Sequence, residues 1–383
     1  MKEIEQYDFA IIGAGAAGLQ LALALLNDPF FADQSLVIFD ADLKDKNDKT
    51  WCFWEKGKGQ WDELIRHSWS QTTFADSKEV LKLNTSPYHY KMLRSLDFYD
   101  FAKSKIEQSG RVKWITEDVQ ATRESVEGIE ISTQGKTFKA GHCFDSRLPE
   151  AYFKDQKSHK VAQHFKGQFL KFEEPVFDQR NFTMMDYRLI YKNTTSFMYI
   201  LPVNSRQALF EYTFFSPDLV EEAVYLDQIR SYVGEYFENH NYEMTEEEDG
   251  VIPMTNFPFH KYHTKHLTKI GTAGGWVRAS TGYSFKNAGG NAEKIIENLK
   301  KGQHPSTGVF KKKYHFFDTL LLNVLKYENH LGPAFFGQLY RNNRLETIFR
   351  FLDGESDILD DLKIVTSVNP WPFLKAIYRE LKG

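Results

Sequence analysis

The sequence predicts an α/β protein in which a nucleotide-binding domain is interrupted by an antiparallel sheet and followed by a helical region. Three observations predict it. The first forty residues carry a strand, phased glycines, a helix and a second strand in close order. From about Leu148 the chain turns to aromatic, strand-like segments. Near Ile270 a strand runs into glycines and then a helix, as though the chain returns to its first domain, and from Ser306 the pattern is mainly helical.

The opening stretch YDFAIIGAGAAGLQLALALL sets Gly13, Gly15 and Gly18 in a G-x-G-x-x-G pattern, with SLVIFD (Ser35–Asp40) behind it. Tyr7–Ile12 reads as a buried strand and Ala16–Leu26 as a helix. The three glycines serve different physical ends. Gly13 allows a tight turn, Gly15 admits a pyrophosphate to the backbone, and Gly18 lets helix and strand pack closely. The helix N-terminus at Ala16 offers free N–H groups to phosphates. Asp40, at the tip of the second strand, is placed to accept bonds from a ribose. Phe9–Leu26 carries no charge and reaches the lower length range of a membrane span. The acidic flank MKEIEQYD and the phased glycines favour the dinucleotide reading.

Composition narrows the function classes. Of 383 residues, 48 are Lys or Arg and 52 Asp or Glu, a net charge of −4 with signs mixed, so no electrostatic case exists for nucleic acid. Cys52 and Cys143 form no metal spacing and point to a reducing, cytoplasmic location. Aromatic content is 15%, with 32 Phe and 19 Tyr. That load suits a thick core, a long apolar ligand, or a site that stabilises a cation over π faces.

The element order follows. Met92, Leu93, Leu96, Tyr99, Ala102 and Ile106 have helical spacing, ended by Gly110. Arg111–Glu117, Val119–Thr122, Gly128–Thr133 and Lys136–Phe138 alternate like short antiparallel strands, and Lys139–Arg147 returns to the nucleotide domain at Asp145. Val161–Phe172, Thr183–Tyr187, Ser196–Pro202 and Ala208–Phe215 read as an antiparallel sheet, Asp218–His240 as an amphipathic helix, and Tyr242–Gly250 as an acidic stretch. The expected organisation is a dinucleotide-binding part at 1–147, a sheet-rich substrate part at 148–260, a return to the first domain at 261–305, and a helical region at 306–383. This is the layout of large flavoproteins, an FAD-binding Rossmann-like domain of the glutathione reductase type. Gly13, Gly15, Ala16, Gly18, Asp40, Arg94, Asp145, Gly274 and Gly275 are the candidate cofactor contacts, and no metal is expected. For Arg94 a flavin phosphate partner and an ordinary surface arginine stand as equal readings.

Several short motifs in fixed order carry a resemblance: GAGAAGL, KTWCFW (Lys49–Trp54), DSR (Asp145–Arg147), QHFKGQF (Gln163–Phe169), MMDYR (Met184–Arg188), LFEYT (Leu209–Thr213), GVIPMT (Gly250–Thr255) and GTAGGWVRASTGYSF (Gly271–Phe285). Over most of its length the sequence resembles the flavin-dependent lycopene cyclases of bacteria and plants. The resemblance implies acid-catalysed closure of the open ends of lycopene to β-rings, giving γ-carotene and β-carotene without net redox. It implies reduced FAD, with NADPH as electron source. It also implies peripheral attachment to a membrane surface, because the substrate is a lipid. Glu211 in LFEYT matches the first Glu of the family's FLEET-like motif and is the candidate proton donor; a strand-face glutamate paired with a cation is the competing reading. The motif's second acid is replaced by Tyr212. Asp186 is the next catalytic candidate, with a salt bridge to Arg188 as its alternative. A flavin reductase or monooxygenase on the same fold is the rival function.

Overall fold

The uncharged stretch Phe9–Leu26 does not form one apolar rod. In the computed structural model, which describes residues 4–382, it is split by the glycines into strand β1 (Glu5–Ile12) and helix α1 (Ala16–Asn27). Gly13 makes the turn at φ +100°, a conformation that side-chain-bearing residues rarely adopt. Strand β2 (Leu36–Phe39) then lies parallel to β1.

Strands β3 (Thr50–Lys56) and β4 (Ile65–Trp69) follow, then the hairpin β5 (Gln71–Ala75) and β6 (Val80–Asn84), and β7 (Tyr88–Arg94). Here the structure corrects the sequence reading. Met92 and Leu93 belong to β7, which pairs with β3 and β4, and helix α2 runs only from Ser95 to Ser109. Six of the seven β7 residues are buried, so this strand shows no alternation to set against the helical spacing. Gly110 ends α2 at φ +62°.

Strand β8 (Val112–Ile115) is a second correction, because it runs parallel to β2 as the outer strand of the nucleotide sheet. Strands β9 (Ala121–Glu124) and β10 (Ile129–Ser132) are antiparallel, as predicted, and lead into β11 (Thr137–Asp145), which lies parallel beside β1. The order is β8-β2-β1-β11-β10-β9.

After the short helix α3 (Glu150–Lys154), a second sheet is built from β12 (Lys160–Phe172), β13 (Asn181–Asp186), β14 (Thr195–Pro202) and β15 (Gln207–Ser216). Helix α4 (Glu222–Tyr236) and strand β16 (Tyr242–Thr255) follow. The order is β16-β12-β15-β14-β13-β5-β6. Two features differ from the sequence reading. The range 1–147 contributes β5 and β6 to this second sheet, through a parallel β5–β13 pair that local patterning does not reveal. The acidic stretch after Tyr242 is a strand paired along β12, with its charges on an edge. The chain then returns through β17 (Leu267–Lys269), parallel to β11, and α5 (Phe285–Lys300). Helices α6 (Lys312–Tyr327), α7 (Gly332–Asn342), α8 (Leu345–Leu352), α9 (Ile358–Thr366) and α10 (Trp371–Lys382) complete it.

Alternation along β15 divides the aromatic load between two layers. Phe210, Tyr212 and Phe214 pack under α4, whereas Leu209 and Phe215 face Trp54, Tyr90 and Phe336. The nucleotide sheet packs on α1, α2 and α5 through Ile11, Ala22, Phe98, Phe144 and Ile295.

A Cβ at Gly18 would lie 2.0 Å from the Gly13 carbonyl oxygen. Gly18→Val is therefore expected to lower the unfolding free energy by about 2 kcal/mol or more, read from denaturant melts; unchanged stability would contradict the close helix–strand contact.

Candidate active site

Three segments far apart in sequence converge on the glycine turn. Ser146 of the DSR triplet packs so closely on Gly13 that a Cβ there would lie 2.0 Å from the Ser146 Oγ. Its hydroxyl donates to the Ile12 carbonyl at 2.8 Å. The turn Gly271–Gly274 abuts the start of α1, since a Cβ at Gly271 would lie 3.2 Å from the Ala17 Cβ. Gly274 is pressed onto the Lys269 carbonyl, and Gly275 adopts φ +70°. Gly15 differs: a Cβ there would meet nothing within 4 Å, and α1 has no side-chain cap. The helix thus begins on open space at the position where the motif requires close approach by a phosphate.

The predicted acids around this loop have protein partners. Asp40 accepts the Ala14 N–H at 2.6 Å through one carboxylate oxygen and the Asp42 N–H at 2.9 Å through the other, so it braces the loop. Asp145 is 1% exposed and paired with Arg147 and Lys269, both at 2.9 Å, and these cations hold its carboxyl below the usual range. Arg94 lies elsewhere. Its guanidinium pairs with Glu246, stands 3.8 Å from Glu248, and covers the Phe169 ring.

Two neighbours of Arg94, Thr50 and Glu248, line a second site, a cavity of about 300 Å³ between the second sheet and the aromatic layer above it. Its walls are mainly apolar. The hydroxyl of Tyr90 is hydrogen-bonded to those of Tyr199 and Tyr283 at 2.8 and 2.9 Å, and Trp54 stands edge-on to Tyr283 with ring centroids 4.6 Å apart. Such faces and edges suit an extended apolar ligand and a cation.

Glu211 projects into this cavity from β15, with no cation beside it among the described residues. Thr213 donates to its Oε1 at 2.6 Å. Burial, reinforced by the nearby Glu248, raises its pKa to about 8, while the Thr213 bond opposes the shift. Near neutral pH it is a carboxylic acid in an apolar enclosure. The competing reading, an ion-paired strand glutamate, does not describe it.

The other acid residues sort by sheet face. Asp186 lies under α4, held by Arg188 at 2.5 Å and by the Tyr232 hydroxyl at 2.6 Å, which is the salt-bridge alternative the sequence offered. Tyr212 also points under α4 and hydrogen-bonds Ser196 and the Leu189 carbonyl. The departure from the family motif at position 212 therefore leaves the cavity untouched. The sequence reading missed Glu248. It lies on β16 with its side chain 7% exposed, accepts the Thr50 hydroxyl at 2.5 Å, and lines the same cavity as Glu211. Burial raises its pKa, while the Thr50 bond and Arg94 pull it back. The alternating Glu246 and Glu248 were a signal for a strand with a charged face. At the cavity rim, Gln163 Oε1 and Thr281 Oγ1 are buried without a partner among the described residues, which leaves polar positions for a bound group.

This combination of a nucleotide sheet, an inserted second sheet and a cavity at their junction is a flavoprotein-type architecture, and known structures share it. A flavin-dependent brominase, Bmp2, superposes with TM-score 0.65 at 15% identity, over 98% of this chain and 99% of the other. A flavoprotein/dehydrogenase from Cytophaga hutchinsonii gives 0.61 at 12% identity, over 99% and 100%. A geranylgeranyl bacteriochlorophyll reductase-like protein from Thermoplasma acidophilum gives 0.59 at 11% identity, over 98% and 96%. At these identities the likeness establishes the fold. A search of curated proteins returned no match. The family described as lycopene cyclase protein matches residues 8–378, and the chain belongs to that family.

A carboxyl whose pKa is raised by folding retains its proton in the native state while the unfolded chain loses it. Stability therefore falls as pH rises from about 4.5 through about 8 and then levels off. Glu211→Gln is expected to flatten this slope by about 1 kcal/mol per pH unit, measured by denaturant melts between pH 5 and 9. An unchanged slope would mean that Glu211 is ionised.

Proposed function

We propose that this protein cyclises the ψ-ends of lycopene to β-rings, with Glu211 as the proton donor. The observation that carries the reading is a buried carboxyl lining an aromatic cavity, with no cation beside it among the described residues, whose pKa burial raises to about 8. An alkene is a very weak base, so the donor must be neutral, desolvated and close, and the cation formed must find π faces rather than water. Tyr90, Tyr199, Tyr283 and Trp54 supply those faces and exclude solvent. Membership of the lycopene cyclase family agrees with this chemistry.

FAD fits the residues present. Gly13, Gly15 and Ala16 would hold its pyrophosphate at the open N-terminus of α1, and the Gly271–Gly275 turn and the unpartnered Gln163 and Thr281 oxygens border the path to the cavity. Reduced flavin supplies an electron-rich ring that stabilises positive charge, and NADPH is the electron source in this reading. Glu211 supplies the proton, and the aromatic walls orient the chain end. Gly15→Ala is expected to leave stability unchanged but to lower FAD retention by roughly tenfold or more, read from flavin absorbance after gel filtration.

Lycopene is a lipid, and the C-terminal helices offer a surface for contact with a bilayer. Ile358, Leu359, Leu362 and Val365 of α9, and Trp371, Leu374, Tyr378 and Leu381 of α10, are exposed in one stripe on each helix, with Lys363 and Lys382 beside them. No described helix is long and apolar enough to cross a membrane. An apolar stripe with flanking lysines matches an anionic membrane surface. Leu362→Glu with Leu374→Glu is expected to abolish co-sedimentation with phosphatidylglycerol-containing vesicles; undiminished binding would place the contact elsewhere.

The direct test of the reaction is pigment analysis of a lycopene-accumulating bacterial host. The wild-type chain is expected to yield γ- or β-carotene, and Glu211→Gln to lower conversion by roughly 10²-fold or more. Stoichiometric consumption of NADPH per product would instead support a flavin reductase, and oxygen uptake with it a monooxygenase.

A further inference from the structure

The row of residues across the second sheet at Glu211 is unusual. Tyr199 on β14 pairs with Glu211 on β15, Glu211 pairs with Gly167 on β12, and Gly167 pairs with Glu248 on β16. Directly paired residues on adjacent strands present their side chains to the same face. Both carboxyls therefore enter the same cavity, with only a glycine between them. A Cβ at Gly167 would lie 3.3 Å from the Glu248 Cγ, 3.5 Å from the Glu211 Cβ and 2.8 Å from a Leu209 methyl. The φ of Gly167 is not in the left-handed region, so its backbone conformation does not demand glycine. Its use there is spatial, because any side chain would stand between the two acids.

The two ends of the row differ in charge environment. Glu211 has the Thr213 hydroxyl and apolar walls. Glu248 has the Thr50 hydroxyl at 2.5 Å, Arg94 at 3.8 Å, and Thr50 itself bound by Arg94 at 3.2 Å. Lys49 and Glu246 complete the charges at that end, and the exposed Asp48 and Asp249 line the rim. The other titratable groups facing the pair are Cys52, Tyr90, Tyr199, Tyr283 and Tyr340, which burial pushes up and keeps neutral through the working range. When two close carboxyls share one proton, the proton goes to the acid without a cation and the charge to the acid that has one.

We propose that Glu248 is the second carboxylate of the site, coupled by charge to Glu211 across the Gly167 gap and accepting the proton released by the closing ring. The inference rests on the cyclase reading and extends it. The Glu211 O–H bond breaks as its proton joins the inner carbon of the terminal double bond, leaving a tertiary cation on the dimethyl-bearing end carbon. The π pair of the next double bond along the chain forms a C–C bond to that end carbon, which closes the ring and moves the positive charge to the other carbon of that double bond. A C–H bond beside that cation then breaks, its proton passes to Glu248, and its electron pair becomes the ring double bond. Loss of the proton from Glu248 and reprotonation of Glu211 restore the starting state, with one proton gained and one lost by the substrate and no electron exchanged. The second acid thus comes from β16 rather than from position 212.

The test uses the full chain with Glu248→Gln, Glu248→Asp and Gly167→Val, in two readouts. In the lycopene-accumulating host, E248Q is expected to lower cyclised product by roughly 10²-fold or more, with part of it restored in E248D. In purified protein without substrate, E248Q removes the neighbouring charge, so the upper edge of the pH-dependent stability change, near pH 8 in the wild type, should move to lower pH. E248Q with wild-type turnover, or with that edge unmoved, overturns the proposal. If E248Q does not fold, Gly167→Val is used, expected to separate the acids and lower the edge in the same way; an unmoved edge there overturns it too. Failure of the wild-type chain to convert lycopene would sink the cyclase reading and the proton-acceptor role with it. The substrate-free titration would still decide whether the two acids are coupled.

Discussion

The constraint on which the site depends is that a carboxyl must be buried without a cation and must still be useful. Glu211 meets it by staying protonated, and the second sheet is arranged to permit this. Its neighbours along the row are a tyrosine, a glycine and a second acid. Arg94 is engaged at the far end of the row by Glu246 and Glu248, and Lys49, which lines the cavity, lies at that same end. A lysine or arginine placed beside Glu211 would favour its ionised form and so remove the proton that the proposed reaction needs. The aromatic content follows from the same need, because the cavity has to exclude water and still offer electron density to a cation.

The nucleotide domain contributes position. β1, α1 and the turns at Ser146 and Gly271 are packed within van der Waals contact of one another, so the glycine loop is tightly held, and of its glycines Gly15 is the one left open. The acids around it, Asp40 and Asp145, brace backbone and cations inside the protein. In the proposed reaction, a tight loop on one side and an apolar cavity on the other would put a bound cofactor and a reacting chain end on adjoining surfaces.

Much of this is legible in the sequence because it is local. The strand–glycine–helix unit, the alternation of β15 and the returning strand before Gly271 each lie within one contiguous stretch. Glu211 is legible through its neighbours: an acid among phenylalanines with Leu209 and Thr213 on its face. What escapes depends on pairing between distant strands. Met92 and Leu93 fit a helical spacing because a strand buried at six of its seven positions shows no alternation to compete with it. The direction of β8 is set by its partner β2, far upstream, with Ile115 opposite Phe39, and short-range alternation carries no information about it. Glu248 lies in a stretch that reads as solvated charge, and only its register opposite Gly167 turns it inward. Asp186 and Tyr212 take a face only once α4 covers one side of the sheet.

The central claim is that Glu211 is a neutral acid near neutral pH, and infrared difference spectroscopy tests it directly. The spectrum of Glu211→Gln is subtracted from that of the wild type at a pH well below the raised pKa of about 8. A protonated carboxyl C=O band should remain, and it should fade as pH is raised through about 8. A difference spectrum with only carboxylate bands at every pH would contradict the account.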